Sequence, residues 1–315
     1  PFLQQAIALG FDSYDVRYRL GLTFYNLGRY DEAIPMLESA AALSPNIAEP
    51  LYFLGLIYWT RQQDERAAEF WDHAIQLRPN FPEVNFMLGE ALRKNRGSEP
   101  AIEFYQRALS QDESKFVYYA RLGGAYLQLG RLDSALEVFG RALQRFPRLP
   151  EAHYFVGLAA RARADYARAE AEFRESLRLR PRNVDALAQL GFIVGERDRY
   201  AEAEELLRSA IAINDKHFYA NYDLGRLLVK SRRYEDALPI LKHAALLNPK
   251  NPAVHYQLFL ALSRMKRKDE ADRELAVFKE LDAAQKSKKH SQGEVEDDVL
   301  LPESSPPVRP VKPSP

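Results

Sequence analysis

Apolar residues in this chain recur three and four positions apart, the spacing of one face of an α-helix. They come in paired blocks, each about 14 residues and so roughly 21 Å long. The pairs repeat every 34 residues without a slip. Counted from Tyr14, Ala48, Pro82, Phe116, Pro150, Val184, Phe218 and Pro252, the eight units share fixed columns. Column seven is Leu20, Leu54, Leu88, Leu122, Val156, Leu190, Leu224 and Leu258; column eight is glycine in seven units, from Gly21 and Gly55 to Gly225, and Phe259 in the eighth. Column twenty is alanine throughout, from Ala33 and Ala67 to Ala271. One helical turn later stand the large residues Leu37, Trp71, Tyr105, Phe139, Phe173, Leu207, Leu241 and Leu275, and column twenty-seven is Ala40, Ala74, Ala108, Ala142, Ser176, Ala210 and Ala244.

Each unit therefore predicts two helices split by a turn, punctuated by Gly28-Arg29-Tyr30, by Gly130-Arg131-Leu132 or by a polar substitute. Small side chains at columns eight, twenty and twenty-seven let the two helices approach closely, because anything larger would wedge them apart. Pro45, Pro79, Pro147, Pro181 and Pro249 stop second helices, since proline lacks an N–H and clashes with the preceding turn. Pro82, Pro150 and Pro252 sit where the next helix begins and no N–H is needed. A hairpin of this size cannot bury its own apolar face, so copies must stack on one another.

These columns resemble the tetratricopeptide repeat over about 270 residues, in eight copies. The resemblance implies an all-α fold, a right-handed superhelix of helical hairpins over residues 14–285, acting as a scaffold for protein recognition and not as an enzyme. It also implies that the first helix of each repeat lines a concave groove through columns two, five, six, nine, twelve and thirteen. Column five there is aromatic in six repeats, Tyr18, Tyr52, Phe86, Tyr154, Tyr222 and Tyr256, joined at the other groove columns by Tyr25, Phe53, Trp59, Phe155 and Phe192. The rim is acidic at Asp15, Glu49, Glu83, Glu151 and Asp185, whereas the floor leans basic, with Arg19, Arg93, Lys94, Arg121, Arg161, Arg226, Lys230 and Arg264 against Glu90, Glu196 and Asp223. The expected partner is an extended or helical protein segment with apolar side chains for the rings and acidic ones for the arginines. Two groove chemistries of the family do not fit: column five is aromatic where a carboxylate clamp wants lysine, and column six has no asparagine ladder.

Composition narrows the classes. Basic and acidic residues balance at 44 each, with 46% apolar and 28% charged residues, so net charge gives no reason to seek nucleic acid. Base stacking along the rings and arginines stays physically possible but is opposed by the acidic rim. No apolar run is long enough to span a bilayer. Cysteine is absent, which excludes disulfides and thiol chemistry but does not choose between cytoplasm and an oxidising compartment; the compartment is left open, a soluble cytoplasmic setting being slightly favoured and a removed targeting segment upstream allowed. The six histidines fall mostly on repeat columns, at His153, His255, His73 and His243, which reads as packing and not metal ligation. No phosphate loop and no nucleophile elbow occurs, and no cofactor is expected. The alternative reading is the substrate-recognition arm of a larger enzyme, of the glycosyltransferase type, with its catalytic domain outside this chain.

The ends differ from the middle. Running the register backwards puts Leu3 and Ala6 on second-helix columns, so residues 1–13 are expected to be the remnant of an earlier repeat in a longer protein. Residues 286–315 combine a basic cluster at Lys286, Lys288 and Lys289, an acidic one at Glu294, Glu296, Asp297 and Asp298, and the prolines of Pro307-Val-Arg-Pro310 and Pro310-Val-Lys-Pro313, and are expected to be a disordered tail.

Overall fold

The computed structural model describes residues 12–292 together with Gln5, Leu9 and Gly10. The remnant at Leu3 and Ala6, the side chains of Lys288 and Lys289, and the acidic and proline-rich stretches from Gly293 onward lie outside the described residues. Among the described residues there are sixteen helices and no strand: α1 (Tyr14–Asn26), α2 (Tyr30–Leu43), α3 (Glu49–Thr60), α4 (Asp64–Leu77), α5 (Pro82–Arg96), α6 (Ser98–Gln111), α7 (Phe116–Gln128), α8 (Leu132–Arg145), α9 (Pro150–Ala162), α10 (Tyr166–Leu179), α11 (Val184–Glu196), α12 (Tyr200–Ile213), α13 (Phe218–Lys230), α14 (Tyr234–Leu247), α15 (Pro252–Arg264) and α16 (Lys268–Gln292). Two compact units divide the chain, Pro1–Ala125 and Tyr126–Pro315.

Unit one contains the hairpins α1/α2, α3/α4 and α5/α6, and unit two the hairpins α9/α10, α11/α12, α13/α14 and α15/α16, with α8 packed on α9. Six of the hairpins are closed by the column-eight glycine lying under the large residue sixteen positions on. A methyl group at Gly89 would sit 2.6 Å from the Tyr105 ring, one at Gly157 2.7 Å from Phe173, and one at Gly191 2.7 Å from Leu207. At Gly55 the methyl would enter the Trp71 indole, which is fully buried and donates its N–H to the Tyr52 carbonyl at 3.2 Å. The column-twenty alanines Ala33, Ala67, Ala101, Ala135, Ala169, Ala203 and Ala237 have no exposed surface. They mark the crossing of the two helices, where no longer side chain fits.

The turn inside a hairpin recurs too. The residue two past the first helix takes φ near +60°, as at Gln62, Ala164, Asp198, Arg232 and Lys266, or is glycine, as at Gly28 and Gly130. The next N–H then reaches back to a carbonyl of the last helical turn, Gln63 to Tyr58 at 2.9 Å and Asp165 to Ala160 at 2.9 Å. That closure satisfies carbonyls the helix end would leave orphaned. Two first helices of unit two, α11 and α15, start on asparagine caps, Asn183 accepting from Ala186 N–H and Asn251 from Ala253 N–H. The last helix differs from the sequence expectation by running to Gln292, beyond the Gln285 boundary, with an i,i+4 ion pair from Lys286 to Asp282 at 2.8 Å.

Candidate functional site

Within each unit the first helices of successive hairpins touch, α1 on α3 in unit one and α11 on α13 on α15 in unit two, and among the described residues no pair of second helices packs as closely. First helices therefore form the tighter, inner side of each stack. Their groove columns carry the candidate surface.

In unit one this face is a ring cluster. Phe53 is contacted edge-on by Tyr18 at 6.1 Å, Tyr25 at 5.3 Å and Tyr52 at 5.1 Å, and Trp59 leans on Trp71 at 5.8 Å. Burial pushes the Tyr25 phenol up to about 12, so it stays a neutral hydrogen-bonding group at physiological pH. Charges nearby are closed into pairs. The Lys94 ammonium lies 4.8 Å above the Trp59 ring and 2.5 Å from Asp64. Glu90 receives Arg121 at 3.0 Å, Arg93 at 3.5 Å and the Tyr105 hydroxyl.

Unit two is built differently. Two guanidiniums approach the Phe192 ring, Arg161 at 5.3 Å and Arg226 at 4.9 Å. Arg226 is held by Glu196 at 2.8 Å and approaches Asp223 at 3.5 Å. Asp223 is buried, which raises its carboxyl to about 6 although Arg226 and Arg161 pull it down. Lys230 pairs with Asp198 at 3.2 Å and covers the Tyr200 ring at 5.1 Å. Behind this face Glu170 gathers Arg174 at 3.0 Å, Arg197 at 2.6 Å and Arg199 at 2.5 Å. Hydrogen bonding from Arg199 first, and from Arg174, lowers its carboxyl to about 2 against the cost of burial.

The structure corrects part of the expected site. Tyr52, Phe53, Phe86, Tyr154 and Phe155 are buried, with 3–8% of their surface exposed. Tyr52 rests on Phe81, Phe86 on Tyr105 and Tyr118, Tyr154 on Phe173, and Phe155 on Phe139, so these rings join neighbouring helices and offer a partner no surface. Their columns face the neighbouring repeat as well as the inner side, and an aromatic ring is large enough to fill the seam. The open part of the face consists of Tyr18, Tyr25, Trp59, Phe192 and Tyr222, half-buried, and Tyr256, which is 40% exposed beside Phe278. The basic floor is also largely neutralised: Arg93, Lys94, Arg121, Arg226 and Lys230 all have carboxylate partners. Arg19 and Arg161 have neither an ion pair nor a side-chain hydrogen bond among the described residues. What sequence reading missed is that bases and acids about one repeat apart find each other, as Arg61 with Asp31 at 2.6 Å and Arg233 with Glu204 at 2.7 Å do. That spacing was visible, but only the stacked register gives it meaning.

His153 and His255 occupy equivalent places, each with Nδ1 2.7 Å from a glutamate, Glu172 or Glu274, and Nε2 facing a carbonyl, Pro147 at 3.1 Å or Pro249 at 3.0 Å. They tie the start of a first helix to its own second helix. Among the described residues no helix is long and apolar enough to cross a membrane.

Stacked helical hairpins, with a seam of alanines and glycines recurring within each unit, define a helical-repeat scaffold. The tetratricopeptide-repeat signature matches residues 18–80, and that of the Cilia and flagella-associated protein 70 C-terminal domain matches residues 81–294. The chain belongs to this latter family, a tetratricopeptide-repeat family. Similar solved structures include the APC/C hetero-tetramer Cut9-Hcn1 at 16% identity and TM-score 0.60, over 82% of this chain and 51% of that one. Pseudomonas aeruginosa pilF aligns at 19% identity and TM-score 0.56, over 66% of this chain and 95% of that one, and yeast Tom70 at 15% and 0.53, over 85% and 58%. The present chain thus spans about half of the Cut9-Hcn1 relative's length, and the likeness shows a shared fold. No curated protein sequence matches it.

Proposed function

We propose that the first-helix face is a recognition surface for an extended segment of another protein, one carrying apolar and acidic side chains. The observation that supports this is the coexistence, on the inner side, of half-buried rings with guanidiniums that the fold leaves unpaired. Trp59, Tyr25 and the unpaired Arg19 occupy groove columns of unit one, and in unit two Phe192 lies 5.3 Å from Arg161, which has no ion pair. Rings already rigid and partly desolvated lose little entropy on being covered, and such anchors contribute about 2 kcal/mol or more each to an interface. On this reading the protein is a scaffold with no chemical step of its own.

Site-specific photo-crosslinking tests it. A crosslinking residue placed at Tyr222 or Tyr256, on the first-helix face of unit two, should capture one and the same protein partner, whereas one at Leu246, which is 80% exposed on a second helix of that unit, should not. Capture from Leu246 alone would overturn the proposal.

A further inference from the structure

This inference rests on the recognition reading above and assigns one point on that surface. Arg161 ends α9 in unit two, partly buried, with the Phe192 ring 5.3 Å away as its counterpart and no acceptor for its N–H donors among the described residues. Arg93 stands in the same column two repeats earlier and finds Glu90 one turn before it; one turn before Arg161 the chain has Leu158. The charge of Arg161 acts on the buried carboxyl of Asp223 without a bond between the two. Guanidinium N–H donors partly withdrawn from water without an acceptor are unfavourable.

We propose that Arg161 and Phe192 form a subsite for an aspartate or glutamate side chain within an extended partner segment. The carboxylate takes the Arg161 N–H donors, and the Phe192 ring 5.3 Å away holds the guanidinium in position. Asp223 gives the subsite a pH signature. The charged groups around it are Arg226 on its own helix, Arg161 on α9 and Glu196 on α11. A second carboxylate delivered to Arg161 opposes ionisation of Asp223, whose carboxyl is already raised to about 6 by burial. Binding should therefore strengthen as pH falls from 7.5 to 5.5, where a ligand carboxylate of ordinary pKa, about 4, stays charged.

The test uses the whole chain as bait for a phage-displayed library of random dodecapeptides, followed by fluorescence titration of the selected peptides as amidated synthetic copies. The proposal expects an acidic residue at one fixed internal position. Replacing it by its amide, or making Arg161→Gln, should each weaken binding at least tenfold, with no further loss when combined. Wild type should gain threefold or more between pH 7.5 and 5.5, and Asp223→Asn should abolish that gain. Arg161→Gln removes no direct ion pair or side-chain hydrogen bond, so its melting temperature should stay close to that of wild type at pH 5.5, where Asp223 is largely protonated. Selected peptides that lack the acid, depend on a free C-terminus, or bind Arg161→Gln as tightly as wild type overturn the subsite. If Tyr222→Ala and Tyr256→Ala, in the same unit, weaken those same peptides, the recognition surface stands without it. If no groove variant matters, or no peptide is selected, both readings fall.

Discussion

The inner face of unit one is ring against ring, with Tyr18, Tyr25 and Tyr52 around Phe53, and its charges are closed into pairs at Glu90 and Asp64. In unit two rings meet cations, with Arg161 and Arg226 both approaching Phe192 and the buried carboxyl of Asp223 beside them. Both faces occupy the same columns of the same repeat. The contrast teaches that the repeat's scaffold columns and its face columns are separable: the first are constrained by helix approach, while the second tolerate either apolar or ionic solutions.

The sharpest way to break the comparison is through the seam both units share. Gly55→Ala forces a methyl into the fully buried Trp71 and threatens its hydrogen bond to Tyr52, and should cost about 3 kcal/mol in denaturant unfolding. Gly191→Ala meets the more yielding Leu207 and regains helix propensity, so about 1 kcal/mol is expected. Equal losses would mean that the ring adds nothing to the rigidity of unit one. Next comes the charge buried only in unit two. Because the folded carboxyl of Asp223 titrates near 6, above its ordinary value of 3.8, the folded state binds the extra proton, and stability falls as pH rises from about 4 through 6. Asp223→Asn should flatten that fall and stabilise unit two at pH 7 by up to about 3 kcal/mol, read from chemical melts at pH 5 and 7.

The Glu170 hub titrates in the opposite sense. Its folded carboxyl lies near 2, below the ordinary 4.5, so its stabilisation is complete above pH 4.5 and is lost as pH falls toward 2. Glu170→Gln should cost about 1 kcal/mol at pH 7, because its arginine partners are nearly half exposed, and should remove that acid sensitivity. The smallest effect concerns the turns. Ala164 adopts φ +60°, whereas the matching position in the first hairpin is Gly28. Ala164→Gly should therefore stabilise unit two by about 1 kcal/mol, and Gly28→Ala should destabilise unit one by a similar amount. If thermal melts show no difference, the turn conformation differs from the one described.

How much was legible follows from these particulars. The seam was, since Gly55 opposite Trp71 and Ala67 between them state their contacts at a fixed spacing. The open face was half legible. Trp59 and Phe192 remain available, but Tyr52, Phe86 and Tyr154 disappear into the seam between hairpins. Nothing at column five of a single repeat says how deeply the next helix will cover it. Likewise Arg93 and Arg161 look alike in their column, and only the acid or leucine one turn earlier, placed by the fold on the same side, separates a paired cation from an unpaired one.

The sequence alone determined the hairpin, its length, its turn and its order of stacking, because these depend on contacts within about one repeat, where spacing translates directly into helical face. Tertiary structure decided which rings stay open, which arginines are neutralised and where a carboxylate is forced toward its neutral form. Those properties depend on how far one helix overlaps the next, and on solvent exclusion at that overlap, neither of which any single repeat encodes.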